Sequence, residues 1–214
     1  MKIDFHAHLP EKHVPAETLF ASVPAGTQIF VCATSANDCE YLRELQAFAR
    51  ERGIALEVAF GLHPWFVKKD FHSEIAKIER ALIAVPDAQV GEIGLDKCKP
   101  NFEFQLQAFE EQLRLAGAHN RRATIHCVRA WNELFEILKK PEFQTVDLHF
   151  HRFSGTPEIA QQLLKRRGNV IFSFLEKDLN TPSEKLKKIL AVVPANCVFP
   201  ESDAPILSNP NFCL

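Results

Sequence analysis

Residues 2–9 read KIDFHAHL, and this stretch decides how the first strand of the chain is interpreted. Its residues alternate in character, with Ile3, Phe5 and Ala7 between Asp4, His6 and His8. Successive side chains of a strand point to opposite faces, so the alternation predicts that one face carries the aspartate and both histidines. A polar row on a strand usually faces water, and the rest of the chain decides whether this one does.

Short apolar, β-rich runs of this kind recur, and helical patterns separate most of them. The runs begin at Lys2, Gln28, Leu56, Gln89, Ala123, Val146, Asn169 and Cys197. Apolar residues at helical spacing occupy residues 71–85, 102–116, 131–138 and 186–193. A further helix is expected between Pro157 and Gly168, and residues 15–23 form the weakest helical pattern.

The alternation of strands and helices predicts parallel strands joined by helical crossovers. Eight strands favour an α/β fold of the (β/α)8 TIM barrel type. An open doubly wound sheet is less favoured, because its ligands gather at one switch point and the polar residues here are spread over many strands. We expect residues 1–214 to form a single domain. The chain ends soon after the eighth strand, which predicts a short form lacking the final outer helix.

Composition and charge exclude several classes of protein. The net charge of -2 supplies no global field that would attract nucleic acid or an anionic membrane. No apolar run is long enough to cross a bilayer, and the first residues lack a signal-peptide pattern. The six cysteines include no CxxC pair, which predicts reduced, structural thiols in a cytoplasmic protein.

The carboxyl ends of the strands form the active-site face of such a barrel. Side chains able to bind a metal mark most of these ends: His6, His8, His63, Glu92, His126, His149, His151, Glu201 and Asp203. A single strand histidine is usually a core residue, but converging imidazoles and carboxylates need partners or a metal. The mixture suits a transition metal better than calcium. More than four candidate ligands predict two divalent metal ions, Zn²⁺, Mn²⁺ or Mg²⁺, that activate a water for hydrolysis.

Six motifs reveal a resemblance to a known family: DFHAHL, GLHPW, GEIGLD, IHCVRA, HRFSG and ESDAP. In their order and approximate spacing, the sequence resembles the TatD family from residue 2 to about residue 207. Members of that family are metal-dependent hydrolases and deoxyribonucleases with amidohydrolase-like barrels. The resemblance implies a metal-dependent hydrolase, and more narrowly a phosphodiesterase or deoxyribonuclease that uses a water activated by two metals.

The resemblance also implies roles for the matching residues. The metal ligands would be His6, His8, Glu92, His126, His151 and Asp203. Glu92 would bridge the two ions, and Asp203 would also be the general base, which makes these two the catalytic residues. His63 and Arg129 match positions that touch the substrate phosphate.

Residues around the ligands complete the expected site. Arg152 stands where the family usually has a small residue, and it is a further candidate for substrate binding. Glu201 is expected to lie behind the ligands and to orient one of them. Asp4 is expected on the face of His6 and His8 but one layer lower, also as an orienting group. His149 is expected to fill the barrel below His151.

Cations near the strand ends bear on the substrate. They are Lys68, Lys69, Lys97, Lys99, Arg129, Arg152 and Lys177. Such a ring favours DNA or another phosphate ester, although acidic residues in the same loops weaken the field. Trp65 and Phe66 either stack on a base or pack against their own loop. Two alternatives stay open: a hydrolase of a small phosphoester, lactone or amide, and an inactive binding protein. A homo-oligomer that covers the open barrel flank is a further hypothesis.

Overall fold

The computed structural model describes residues 2–10 and 14–206. Eight parallel strands lie side by side in sequence order in one sheet. They are β1 Ile3–His8, β2 Gln28–Cys32, β3 Ala55–Phe60, β4 Gln89–Asp96, β5 Ala123–Val128, β6 Leu148–Phe150, β7 Val170–Leu175 and β8 Val198–Glu201. Each strand coincides with one of the apolar runs, and the predicted barrel fold is confirmed.

The sheet closes where the segment after β8 meets β1. The amide of His8 donates to the carbonyl of Ala204 at 3.0 Å, and the amide of Asp203 donates to the carbonyl of His6 at 3.0 Å. His8 and Pro205 form a parallel bridge there. The predicted lack of a final outer helix concerns residues 207–214, which lie outside the described residues.

Helices follow most strands and cover the outside of the barrel. They are α1 Ala16–Leu19, α2 Asp38–Glu51, α3 His72–Ala84, α4 Phe102–Ala118, α5 Trp131–Leu138, α6 Pro157–Leu164, α7 Glu176–Asn180 and α8 Glu184–Leu190. Short 3₁₀ helices occupy Pro64–Phe66, Pro141–Phe143 and Ala195–Cys197. Across the described ranges, no helix combines the length and apolar character that a membrane crossing needs.

Three helices differ from expectation, and the first is α7, which follows β7 where no helix was predicted. Helix α2 is also absent from the predicted helices, although its buried Leu42, Leu45 and Ala49 follow helical spacing. Helix α6 ends at Leu164 rather than near Gly168. Gly168 is required instead for close packing of the backbone, because a Cβ there would lie 2.3 Å from the carbonyl oxygen of Val146. Its lack of a side chain allows two backbone segments to approach closely.

Buried glutamines of α4 fix the strand ends that carry the site. The side chain of Gln112 accepts from the amide of Leu62 at 2.7 Å and donates to the carbonyl of Leu62 at 3.2 Å. Gln105 makes the equivalent pair with the backbone of Asp96, at 2.8 and 3.2 Å. Both glutamines are fully buried, so these bonds satisfy backbone groups that water cannot reach. Helix α4 therefore holds the ends of β3 and β4 in place.

Strand β1 departs from the predicted alternation. Its register against β2 shifts between Asp4 and Ala7, as in a β-bulge. Phe5 points into the barrel, where its ring stacks on Phe30 at 4.0 Å and meets the edge of His149 at 5.1 Å. The expectation that Phe5 lies on the outer face is therefore wrong.

Asp4, like Phe5, lies on the face of β1 opposite to the one predicted. Its carboxylate accepts from the amide and the hydroxyl of Ser202, at 2.9 and 2.6 Å. It also accepts from the amide of His6 at 3.3 Å. Asp4 therefore does not share the inner face of the histidines, because the bulge interrupts the period of two. These contacts hold the backbone beside the predicted ligands His6 and Asp203. The orienting role of Asp4 therefore stays a prediction, but it would act through the backbone and not from the inner face of β1.

Candidate metal centre

Glu92 lies at the centre of the predicted ligands, buried near the middle of β4. Its Oε1 lies 2.7 Å from His151 Nε2 and 3.1 Å from both His63 Nε2 and His126 Nδ1. These three imidazoles come from β3, β5 and β6 or from the residues that follow them. Three imidazoles from the ends of β3, β5 and β6 thus converge on one carboxylate oxygen that β4 supplies.

The second oxygen of Glu92 faces the first strand. Its Oε2 lies 3.3 Å from His6 Nε2 and 3.7 Å from His8 Nε2. Asp203 completes this side, since its Oδ1 lies 3.1 Å from His8 Nε2 and 3.8 Å from His6 Nε2. One carboxylate therefore has each of its oxygens directed at a different set of side chains, as a bridging ligand would.

The GEIG segment fits this position because glycine is required beside it. Gly94 has a φ of 148°, a conformation that other residues rarely adopt. A Cβ at Gly94 would lie 1.9 Å from the carbonyl oxygen of His126. Strands β4 and β5 therefore approach closely where they present Glu92 and His126, and a larger residue at 94 would separate them.

The donor atoms fit a divalent metal. Three groups have ligand atoms within 4.8 Å of one another: His6, His8 and Asp203; His6, Glu92 and His151; and His63, Glu92 and His126. Three buried atoms of this cluster, Glu92 Oε2, His126 Nε2 and His151 Nδ1, make no hydrogen bond within the described chain. Buried polar atoms are nearly always satisfied, so these unpartnered atoms suit coordination once a metal has displaced any proton that the imidazoles carry. Imidazole nitrogen with carboxylate oxygen is the donor set of zinc and manganese sites.

The charges of the cluster compensate one another without an ion. Burial alone would lower the pKa of His151, but the carboxylates beside it, Glu92 above all, raise it to about 9. Burial and the nearby positive imidazole lower the pKa of His6 to about 3. Burial opposes the ionisation of Asp203, yet the hydrogen bond from His8 and the surrounding imidazoles lower its pKa to about 2.

Glu201 lies behind the ligands in a chain of hydrogen bonds. It accepts from Ser173 Oγ at 2.5 Å and from the amide of Arg152 at 2.7 Å. Burial raises the pKa of Glu201 to about 7. Ser173 Oγ also lies 2.6 Å from Nε2 of His149, which is buried below the cluster and bonds Thr124 on its other side. His149 thus lies deeper in the barrel, as expected.

The predicted substrate contacts are dispersed. Nε2 of His63 is turned inward to Glu92. Arg152 lies at the mouth of a cavity of about 800 Å³ above the cluster, and its guanidinium donates to Asp203 Oδ2 at 2.9 Å. It is the only arginine among the described residues that line this cavity. Arg129 is exposed just after β5 and does not reach the lining.

Sequence reasoning missed the position of Asp96. Its Oδ2 accepts from Trp65 Nε1 at 2.7 Å and lies 3.5 Å from His126 Nε2. Its Oδ1 accepts from the amide of Cys98 at 2.8 Å. The period of two from Glu92 through Gly94 would have placed Asp96 on the inner face. It is instead one of the acidic residues predicted for the loops around the cationic ring, and the structure places it at the last position of β4.

A (β/α)8 barrel whose strand ends gather imidazoles and carboxylates around one glutamate defines the class of metal-dependent hydrolases. The family model described as TatD-related DNase matches residues 3–213, and the chain belongs to that family. The family and the class of enzyme predicted from the motifs are thereby confirmed. The number and identity of the metal ions, and the roles of single residues, stay predictions.

Similar proteins agree with this assignment. The crystal structure of YjjV, the TatD homologue of Escherichia coli K12, matches with a TM-score of 0.77 at 26% identity, over 99% of this chain and 82% of that one. The human 3'-5' RNA nuclease TATDN2 is 31% identical over 69% of this chain, which is only 20% of that protein's length. The 3'-5' ssDNA/RNA exonuclease TatD of Cronobacter turicensis is 32% identical over 75% of this chain and 61% of its own.

Proposed function

We propose that this chain is a metal-dependent phosphodiesterase that removes nucleotides from the 3' end of single-stranded DNA or RNA. The observation that carries the proposal is the position of Glu92, whose two oxygens face two separate groups of imidazoles 2.7–3.7 Å away. The names of the human and Cronobacter relatives support the nucleic-acid substrate and the direction. The cation at the cavity mouth, Arg152, supports an anionic substrate.

The ligands would divide into two sets around Glu92. As the family resemblance implies, the first ion would be held by His6, His8, Asp203 and Glu92, and the second by Glu92, His126 and His151. The two imidazoles of the second set lie 3.1 and 2.7 Å from Glu92 Oε1. A pair of divalent ions lowers the pKa of water and stabilises negative charge on a phosphoryl group.

Asp203 is suited to accept the proton of the attacking water. Its pKa is lowered to about 2, so the carboxylate is ionised at neutral pH. Arg152 binds its Oδ2, which leaves Oδ1 directed at the histidines of β1. The arginine thus fixes the direction of the base, and its remaining N–H groups can donate to a phosphate oxygen.

His63 is suited to orient Glu92, because its Nε2 lies 3.1 Å from Oε1 and can donate to it. Its Nδ1 accepts from the amide of Trp65 at 3.1 Å, so Nε2 carries the proton. Burial lowers the pKa of His63, which keeps the ring neutral. Arg129 would contact a more distant phosphate, because it lies at the surface beyond the cavity lining.

The test uses single-stranded DNA and RNA oligonucleotides labelled at the 5' end. The protein is chelated and then given Mg²⁺, Mn²⁺ or Zn²⁺ in turn. We expect a ladder that shortens from the 3' end, and an Asp203→Asn variant slower by roughly 10²- to 10⁴-fold. A 3'-labelled duplicate should release its label first. Uncut oligonucleotides under every metal would refute the proposal, and hydrolysis of a small phosphoester or lactone would then favour the alternative substrates.

A further inference from the structure

Two exposed aromatic side chains lie next to each other on the rim of the cavity. Among the described residues, the large apolar side chains that are exposed are Trp65, Phe66 and Ile83. Trp65 and Phe66 are each 51% exposed, and both line the cavity above the metal cluster. A single exposed apolar residue needs no explanation, but two adjacent rings beside a cavity are typical of a binding surface.

The ring of Trp65 is held in place by polar contacts. Its Nε1 donates to Asp96 Oδ2 at 2.7 Å, and Asp96 is buried. The ammonium of Lys99 lies 4.0 Å from the centre of the indole ring, close enough for a cation–π contact. The indole is therefore fixed at its edge and contacted by Lys99 on one face, while half of its surface stays exposed. A ring that only filled its own loop would not need this support.

The two rings lie close to the predicted ligands. The centre of the Trp65 ring is 5.2 Å from that of His63 and 6.1 Å from that of His126. Phe66 lies 5.9 Å from His63, measured in the same way. Both contacts of Trp65 are edge to face, so neither imidazole covers it as a stacked ring would. A base beside these rings and a phosphate over the cluster are within the span of one nucleotide.

We propose that Trp65 and Phe66 form a stacking subsite for a nucleobase at the end of a single-stranded nucleic acid. This inference rests on the proposed nuclease function and names the part of the substrate that the rim recognises. Stacking tolerates every base, because each presents a flat π-face. Lys99, whose ammonium lies 4.0 Å from the centre of the indole ring, supplies a positive charge beside this subsite that favours a phosphate-bearing ligand.

The binding test uses metal-free protein, so it does not depend on catalysis. The chain has two tryptophans, and a Trp131→Phe variant leaves Trp65 as the single tryptophan, which is excited selectively at wavelengths where Tyr41 does not absorb. Nucleoside monophosphates should quench its fluorescence with saturation, whereas deoxyribose phosphate should not. Equal behaviour of the two ligands, or no quenching by either, would overturn the subsite.

The kinetic test compares oligonucleotides that carry either a natural base or an abasic residue at the last or the penultimate position. Stacking on one ring predicts a ratio of kcat/KM, base over abasic, of roughly 5 to 150 at one of these positions. The ratio should fall towards one in Trp65→Leu, and also in Phe66→Leu, which keeps the Trp65–Asp96 bond. Ile83→Leu, on the exposed face of α3, is the control and should keep the parent's ratio.

The outcomes separate the subsite from the nuclease function. Equal ratios in the parent and in both aromatic variants would overturn the subsite while leaving the nuclease function intact. If neither oligonucleotide is cut under any metal, the nuclease function fails, and the fluorescence titration then decides the subsite alone.

Discussion

Replacing Glu92 with glutamine keeps the shape of the most central side chain and removes its charge. Glu92 is 1% exposed, and its Oε1 lies 2.7 Å from Nε2 of His151. Burial lowers the pKa of His151, and the negative charge of Glu92 is the largest influence that opposes it. Without that charge, we expect the protonated imidazole of His151 to lose most of its stabilisation in the metal-free protein.

The magnitude follows from the pKa of His151. A pKa raised from 6.5 to about 9 corresponds to roughly 3 kcal/mol of stability in the protonated form. Because the pKa is higher in the folded than in the unfolded protein, this stability is complete below pH 6.5 and is lost as the pH rises through 9. Glu92→Gln should therefore destabilise the metal-free protein by about 3 kcal/mol near pH 6 and by progressively less towards pH 9.

The assay is urea unfolding in the presence of a chelator, at about pH 6, 7.5 and 9. Glu133→Gln is the matched control, because Glu133 is a more exposed glutamate that pairs with Lys97 on the surface. Glu133→Gln should lower the free energy of unfolding by less than about 1 kcal/mol at every pH. A destabilisation by Glu92→Gln that does not depend on pH would refute the ion pair with His151. So would a cost no larger than that of the control.

Three further predictions test the surroundings of the cluster. A divalent metal at roughly 100 times its Kd should add about 2.7 kcal/mol to the free energy of unfolding of the chelated protein. Its Tm in a thermal melt should rise by about 5–10 °C. If no ion shifts the Tm, the result argues against a metal centre. Gln112→Leu should lower the free energy of unfolding by about 1–3 kcal/mol, because it leaves the backbone of Leu62 unpaired; a neutral result in urea would contradict that role. Burial raises the pKa of Glu201 to about 7, so folding disfavours its ionised form. The metal-free parent should therefore lose stability relative to Glu201→Gln as the pH rises from 4.5 to 7. Urea unfolding that gives the same pH dependence for both proteins would disprove this.

Much of the site could be predicted because the fold is periodic. Parallel strands meet with their carboxyl ends on one face, so any polar residue at such an end enters the same space. This reasoning brings together His6 and Asp203 from opposite ends of the chain, and the structure places Asp203 Oδ1 3.8 Å from His6 Nε2. Periodicity could not separate His151 from the deeper His149, because both lie on one side of the strand, and the distinction came from the resemblance of HRFSG to the family motif.

Local irregularities of the structure could not be predicted from this periodicity. The bulge in β1 depends on how that strand pairs with β2, and a pattern within one strand carries no trace of it. It moved Asp4 to the outer side and Phe5 to the inner side. The bond between Trp65 and Asp96 joins residues that are 31 positions apart, so no local spacing reveals it. Such contacts depend on loop conformation, which the hydrophobic periodicity does not determine.

The closure of the barrel and the assembly of its first predicted metal site involve the same residues. The amide of Asp203 donates to the carbonyl of His6, and the carboxylate of Asp4 binds Ser202, so the first strand is joined to the end of the eighth strand beside the ligands. The side chains of His8 and Asp203 meet across this seam at 3.1 Å. An ion bound there would connect the two ends of the chain directly. Metal affinity and barrel stability should therefore be linked, since only the closed barrel presents both halves of this site.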